Sequence, residues 1–175
     1  GIGKAIAKSL REEGCNVTIC ARNINNLYKT MKDIGCNGIQ ANWAIERDIE
    51  LVVNRFEKAD ILINNVGGGG SWGNENVEDF KEWNEVYEKN AGAATKFTMK
   101  YLPYMKKNKW GRVITIASIY GKECGARPWF DMAKSAEISL MKCLDHRRYE
   151  GITFKSICPC HIDLGKGQTC TVKGE

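Results

Sequence analysis

Apolar residues recur along the chain in two alternating patterns, one typical of helices and one typical of strands. Apolar positions three or four residues apart predict amphipathic helices, and short runs of aliphatic and β-branched residues predict strands. The predicted helices cover residues 5–10, 27–34, 49–56, 77–107 and 128–144. The predicted strands cover residues 17–20, 38–40, 61–63, 112–117 and 152–157.

The regular alternation of strand and helix indicates the fold class. Neighbouring parallel strands need a crossover connection, which is usually a helix, so this order predicts a parallel sheet with helices on both of its faces. The 175 residues and their 43% apolar content suit one globular domain with its own core. We therefore expect a single three-layer α/β/α domain over residues 1–175.

Charge and hydropathy give no reason to expect a nucleic-acid or a membrane partner. The net charge of +5 comes from 26 basic and 21 acidic residues, and the basic clusters at 106–109 and 147–148 fall where helices should end. Cations there are stabilised by the helix dipole, and no interleaved aromatic residues offer a stacking platform for nucleic acid. The longest apolar runs are far shorter than the roughly 20 residues of a membrane helix. We expect neither a nucleic-acid nor a membrane partner, and no signal segment is visible.

Cysteine usage points to a reducing compartment. Eight cysteines in 175 residues fall below the density of a disulfide scaffold. Cys15, Cys20, Cys36 and Cys143 lie in or beside apolar segments, where small buried thiols fit. The expected location is the cytoplasm.

A second group of sulfur and nitrogen ligands occurs near the end of the chain. Cys158, Cys160 and His161 are close together, but Pro159 lies among them and a fourth ligand at suitable spacing is missing. A structural role is favoured over a metal site, and no metal is expected.

Three residues near the fourth and fifth predicted helices carry the most specific chemistry. Ser118 follows a predicted strand, and Phe130 precedes Lys134 by four residues on the same helix face. This arrangement resembles the active site of the short-chain dehydrogenase/reductase family. In that family a serine orients the substrate carbonyl, a tyrosine donates the proton and a lysine lowers the pKa of the tyrosine. Phe130 stands in the place of the tyrosine.

The resemblance implies roles for the remaining catalytic candidates. Lys134 would bind the nicotinamide ribose, and Asn90 would hold a water in the proton relay, although an asparagine inside a helix can also simply face solvent. Phe130 supplies no proton, and a positioned acid is worth about 10² to 10⁴ in rate. Tyr120 would replace it only if its loop folds inward; Ser118 or a water held by Lys134 and Asn90 are further alternatives. The simpler interpretation of Tyr120 is an ordinary loop residue, and an engineered tyrosine-to-phenylalanine change would look the same in the sequence.

The beginning of the chain resembles the adenosine side of the family's cofactor site. Gly1, Ile2 and Gly3 open a helix, as does the last part of a glycine-rich turn that cradles a pyrophosphate. Arg22 follows the next strand, where its guanidinium would accept a 2′-phosphate, so NADP is expected and NAD is less favoured. A solvated charge at a strand end is the alternative for Arg22. Asn42 stands in the place of the family's adenine-binding aspartate.

Two later segments resemble the nicotinamide side. Asn65, Val66 and Gly67 follow a strand as in the family's Asn-Asn-Ala-Gly motif, with valine in place of alanine. Taken alone, the run of glycines from 67 to 70 would be a flexible loop. Pro159 and Ile162 belong to a segment similar to the family's Pro-Gly segment. Cys160 and Leu164 depart from it, because they replace a glycine and a threonine.

The resemblance also sets expectations for the whole protein. It implies a doubly wound, Rossmann-like sheet, a small-molecule carbonyl or alcohol as substrate, and a homodimer or homotetramer formed through the helices at 90–107 and 128–144. The first strand and the C-terminal lid of the family are absent, so we expect a chain that is incomplete at both ends. The leading hypothesis is an NADP(H)-dependent oxidoreductase that interconverts a carbonyl and an alcohol. The alternative is a non-catalytic relative that binds the dinucleotide for regulation or scaffolding.

Overall fold

The structure is a computed structural model that describes residues 1–70, 76–160 and 162. The chain forms two compact units, Gly1–Phe56 and Glu57–Glu175. Hydrogen bonds likewise group the described strands into one two-stranded and one three-stranded parallel sheet. The expectation of a single domain stays a prediction.

The first unit alternates three helices with two strands. In chain order these are α1 (Ile2–Glu12), β1 (Thr18–Ala21), α2 (Ile24–Ile34), β2 (Asn37–Gln40) and α3 (Glu46–Arg55). β1 and β2 are parallel, with Thr18 opposite Asn37. The side chain of Asn23 accepts a 2.9 Å bond from the Asn26 N–H and starts α2, while Gly35, with φ of 64°, ends it. Leu27 and Ile49 are buried in the small core of this unit.

The second unit contains a three-stranded sheet and its connecting helices. The elements are β3 (Ile61–Asn64), α4 (Phe80–Tyr87), a π-helical turn (Glu88–Gly92), α5 (Ala93–Asn108), β4 (Gly111–Ile116), a 3₁₀ turn (Ile119–Gly121), α6 (Pro128–His146) and β5 (Ile152–Ile157). The strand order is β3-β4-β5, and both pairings are parallel. Its core includes Met105, Val113, Trp129, Met141 and Phe154, which are almost fully buried.

The predicted elements are confirmed, and so is the α/β fold class with parallel sheets. The predicted helix at 77–107 differs in two ways. It begins at Phe80, because the Asp79 carboxylate caps the N–H groups of Lys81 and Glu82 at 3.1 Å. It also contains the π-helical turn at Glu88–Gly92. A π-turn inserts one residue into the helical ladder, and such turns are frequent at functional sites.

Two expectations about the cysteines are wrong. Cys20 and Cys143 are exposed. In β1 the side chains alternate, so Cys20 shares the exposed face of Thr18. In α6 the buried stripe runs through Glu137, Ile138 and Met141, and Cys143 lies off it.

Within the described residues, all seven cysteines are free thiols. The same part of the chain contains no cluster of three potential metal-binding side chains, and His161 lies outside it. None of the described helices is long and apolar enough to cross a membrane.

Candidate active site

The three strands of the second unit end at the same edge of their sheet, and predicted site residues follow all three. Asn65 follows β3, Ser118 lies just beyond β4, and Pro159 lies just beyond β5. The Ile119 N–H donates to the Pro159 carbonyl at 2.9 Å, so these last two segments are joined. Doubly wound sheets bind ligands at the carboxyl ends of their strands. This edge is therefore the candidate site of the second unit.

Lys134 reaches this edge from α6. Its side chain is buried, with 4% of the residue exposed. The ammonium donates to the Ile116 carbonyl at 3.1 Å and to the Glu137 carboxylate at 2.9 Å. A lysine is rarely buried unless it is paired, so Glu137 is the counter-ion that accompanies Lys134 into the interior.

Asn90 lies in the π-helical turn and is fully buried. Its amide group donates to the carbonyls of Val86 at 2.7 Å and Gly68 at 3.0 Å, and its oxygen accepts from the Gly68 N–H at 3.2 Å. The alternative of a solvent-facing asparagine is therefore wrong. The side chain instead fixes the backbone of the loop that follows β3.

Gly67 lies against both of these buried side chains. A Cβ at this position would lie 2.9 Å from the Asn90 Oδ1 and 2.9 Å from the Lys134 Nζ. Contacts that close are essentially unknown for a real side chain, so only glycine permits this approach. The structure thus brings together three predicted site residues from three separate segments: Gly67, Asn90 and Lys134.

Phe130 is also near Lys134, as the shared helix face predicts. The Lys134 Nζ lies 5.7 Å from the centre of the phenyl ring. The ring also packs against the cluster of Val86, Trp129 and Ala133. The indole N–H of Trp129 donates to the Gly69 carbonyl at 3.0 Å, which ties this aromatic cluster to the loop after β3. The ring thus occupies the expected place beside the lysine and brings no hydroxyl there.

Ser118 begins the 3₁₀ turn after β4 and is half-buried. Its Oγ accepts from the Tyr120 N–H at 3.2 Å, and the hydroxyl proton can still be donated to a ligand. The Tyr120 ring lies against Gly125, where a Cβ would come within 2.7 Å of it. This contact favours the interpretation of Tyr120 as a loop residue.

The end of β3 depends on a buried polar group that the sequence analysis missed. The Asn64 amide donates to the hydroxyls of Thr98 at 3.1 Å and Thr115 at 3.2 Å. Both threonines are fully buried. These bonds join β3, β4 and α5 immediately before Asn65, and so they fix the start of the candidate loop.

Glu137 is the second residue that the sequence analysis missed. Burial raises the pKa of its carboxyl group, and the charge and hydrogen bond of Lys134 oppose that rise. The sequence shows an acid three residues after a lysine, a spacing that suits a helix pair but does not reveal that the pair is buried.

In the first unit, the candidate residues lie at chain segments open to solvent. Gly1 caps α1 without a side-chain bond, and the first turn, which includes Ile2 and Gly3, carries no acidic residue. The free N–H groups of such a turn suit a phosphate. Arg22 follows β1, is exposed, and its guanidinium carbon lies 5.5 Å from the centre of the Trp43 ring.

Asn42 has a local role in the same unit. Its side-chain oxygen accepts from the Ala44 N–H at 3.1 Å, and its own N–H donates to the Asp48 carboxylate at 2.8 Å. A carbonyl oxygen has two lone pairs, so one acceptor position remains for the predicted bond to adenine.

The remaining candidates differ in their exposure. Asn65 and Gly67 are exposed, Val66 and Pro159 are half-buried, and Ile162 is 39% exposed. Leu164, which the sequence analysis also considered, lies outside the described residues.

A groove of about 610 Å³ lies between the C-terminal part of α6 and β5. It is lined by Met141, Asp145, Phe154 and neighbouring residues, and none of the predicted site residues contributes to it.

Comparisons with known proteins point to the same family as the motifs in the sequence. A family model described as short chain dehydrogenase matches residues 1–169. The chain is 30% identical over 177 residues to a putative ketoacyl reductase of Streptomyces coelicolor, covering 93% of this chain and 67% of the relative. It is 29% identical over 171 residues to the 3-oxoacyl-(acyl-carrier-protein) reductase of Escherichia coli, covering 93% and 70%.

Solved structures give the same picture. A variant of actinorhodin polyketide ketoreductase solved with NADPH superimposes with a TM-score of 0.80 at 29% identity, covering 91% of this chain and 66% of that one. The RhlG/NADP active-site complex of Pseudomonas aeruginosa superimposes with a TM-score of 0.80 at 25% identity, covering 93% and 69%. The chain thus spans about two thirds of the length of these relatives.

Proposed function

The chain belongs to the short-chain dehydrogenase family, a family of oxidoreductases that use NAD(P), and on this premise we propose that it is an NADP(H)-dependent oxidoreductase. It interconverts a carbonyl and an alcohol on a small molecule. The observation that carries the proposal is the meeting of Gly67, Asn90 and Lys134 at the carboxyl edge of the sheet, with the Phe130 ring beside the lysine.

The preference for NADP rests on Arg22. It is an exposed cation at the end of β1, and the preceding residue, Ala21, is neutral. An acidic residue there would favour the ribose hydroxyls of NAD and repel a 2′-phosphate. Two relatives, a ketoreductase and RhlG, were solved with NADPH and NADP. Gly1, Ile2 and Gly3 bind the pyrophosphate through the open helix terminus, and Asn42 accepts from the adenine amino group.

In the second unit, the proposal assigns the nicotinamide side of the cofactor to six residues. Asn65, Val66 and Gly67 line its ribose from β3, Lys134 donates to that ribose, and Pro159 and Ile162 flank the ring. When bound, the cofactor supplies or takes up the hydride. The chain orients the substrate carbonyl through the Ser118 hydroxyl, and Asn90 anchors the relay water.

Phe130 limits the rate of this reaction. Hydride addition to a carbonyl leaves an alkoxide, and a phenyl ring cannot protonate it. Since a positioned acid contributes about 10² to 10⁴ in rate, turnover depends on the Ser118 hydroxyl or on water. We therefore expect the parent chain to turn over slowly.

The test is NADPH oxidation with a panel of ketones and aldehydes, followed by absorbance for the parent and for Phe130→Tyr. We expect slow oxidation by the parent and a faster rate in the variant. If the parent turns over at an ordinary rate and the variant gains nothing, our account of Phe130 is wrong. If neither protein binds NADPH, the oxidoreductase proposal itself is lost.

A second function has two observations in its favour. The Lys134 ammonium is already bonded to Glu137 and Ile116, and the proton donor of the family is missing. A non-catalytic relative that binds the dinucleotide for regulation or scaffolding suits these facts. It predicts NADPH binding with no oxidation in the parent or in Phe130→Tyr.

Two further properties belong to the proposal. The helices α5 and α6 form the subunit contacts of a homodimer or homotetramer, which sedimentation of the chain would test. The cysteine content favours the cytoplasm as its location, which imaging of a tagged chain would test.

A further inference from the structure

The Lys134–Glu137 ion pair is buried, with 4% and 1% of the two residues exposed. The Nζ to Oε2 distance is 2.9 Å, and the ammonium also donates to the neutral Ile116 carbonyl. Glu137 is thus the charge that compensates Lys134 inside the protein. The compensation depends on neither the cofactor nor any group at position 130.

The same lysine lies 5.7 Å from the centre of the Phe130 ring. An uncompensated ammonium close to a phenol hydroxyl lowers its pKa, because an opposite charge within about 4–6 Å stabilises the ionised form. Paired with a carboxylate at 2.9 Å, the ammonium presents a dipole to position 130 rather than a full charge.

We propose that Glu137 is a positioning residue that holds the Lys134 ammonium in an internal ion pair and offsets its charge at position 130. It follows that a tyrosine restored at position 130 does not acquire an acidic hydroxyl unless Glu137 is also neutralised.

This inference concerns the site of the proposed function, and its test needs neither NADPH nor turnover. The test is a spectrophotometric pH titration of the tyrosinate absorbance in the Phe130→Tyr chain, with the parent titration subtracted to remove the six native tyrosines. The same titration is repeated in Phe130→Tyr with Glu137→Gln. Glutamine keeps the shape of the side chain and removes its charge.

We expect the new tyrosine in Phe130→Tyr to titrate at or above the ordinary value of about 10. Adding Glu137→Gln should lower that pKa by at least about one unit. Arg127, whose guanidinium reaches the same glycine loop as the Phe130 ring, is constant in both chains, so the difference between them isolates Glu137. Phe130→Tyr with Glu150→Gln, an equal charge change at an exposed ion pair with Lys109, should leave the pKa unchanged.

Two results would overturn the inference. One is a strongly lowered tyrosine pKa in Phe130→Tyr alone, which would mean that Lys134 acts on position 130 despite Glu137. This result is available even if the Glu137→Gln chain does not fold. The other is a folded double variant whose tyrosine pKa is the same as that of Phe130→Tyr. Absence of NADPH binding would defeat the proposed function and leave this inference standing.

Discussion

The two compact units differ in how they hold the charged and amide candidates Arg22, Asn90 and Lys134. In the first unit, Arg22 is exposed and the terminus of α1 is open to solvent. In the second unit, Asn90 and Lys134 are buried, and each is held by internal hydrogen bonds. Arg22 and the start of α1 thus offer exposed groups to a ligand, while Asn42 is already bonded within the unit. The second unit has already formed the bonds that position its groups.

Because of this difference, substitutions at these residues should affect either ligand affinity or folding stability, depending on the unit. A substitution at an exposed side chain changes binding and leaves unfolding nearly unaltered. A substitution at a buried, paired side chain leaves its partner uncompensated and costs folding free energy. We therefore expect weaker ligand binding from the substitution at Arg22 and a lower unfolding free energy from substitutions at the buried residues of the second unit.

The largest effect is expected at the buried ion pair. Lys134→Met leaves the Glu137 carboxylate without its cation, which should cost about 3–5 kcal/mol of unfolding free energy in a urea titration. The exposed pair of Lys155 and Asp145, at 3.2 Å, provides the control, because Lys155→Met should cost at most about 1 kcal/mol. Equal losses in the two variants would show that the burial of Lys134 has no energetic weight.

A restoring variant sharpens this prediction. Lys134→Met combined with Glu137→Leu removes both charges and fills the space with apolar atoms. Such replacements of buried pairs are often neutral or stabilising, so most of the loss should be recovered. A double variant as unstable as Lys134→Met would place the loss in packing rather than in charge.

An intermediate effect is expected at the glycine beside this pair. Gly67→Ala places a methyl group 2.9 Å from both the Asn90 Oδ1 and the Lys134 Nζ. Overpacking of this kind costs about 1–3 kcal/mol, measured again by urea unfolding. Gly1→Ala is the matched control in the other unit, since a Cβ there has no neighbour within 4 Å. The comparison fails if Gly1→Ala destabilises the chain as much as Gly67→Ala does.

The smallest change in free energy is expected at the exposed cation. Arg22→Ala should weaken NADPH binding at least about tenfold, since a hydrogen bond to a charged group is worth about 1.5 kcal/mol. NADH binding and unfolding free energy should hardly change. Arg47→Ala removes the same charge from an exposed position in α3 and should leave NADPH binding unaltered. A loss for both cofactors would assign Arg22 a structural role.

The sequence was sufficient for the elements and for much of the site, because both depend on local pattern. Periodicity placed β5 at its observed bounds, and the spacing of Phe130 and Lys134 placed the ring beside the ammonium. The π-helical turn at Asn90 was not predictable, since it is set by the packing of the helix and the bonds to Gly68.

The partners of the buried polar groups were the other features that the sequence did not supply. Asn64 finds its hydroxyl partners on α5 and β4, far away in sequence, so no local pattern could reveal them. Glu137 lies three residues from Lys134, yet that spacing alone does not distinguish an exposed helix pair from a buried one. Whether such a pair is buried depends on the tertiary fold, which the spacing does not show.

The central proposal is that this chain binds NADP(H) although a phenylalanine stands in the place of the family's proton donor. A calorimetric titration of the 175-residue chain with NADPH, and in parallel with NADH, tests it most directly. The account predicts saturable one-site binding, with NADPH at least about tenfold tighter because of the charge-assisted bonds that Arg22 makes to the 2′-phosphate. A titration in which neither dinucleotide binds would contradict it.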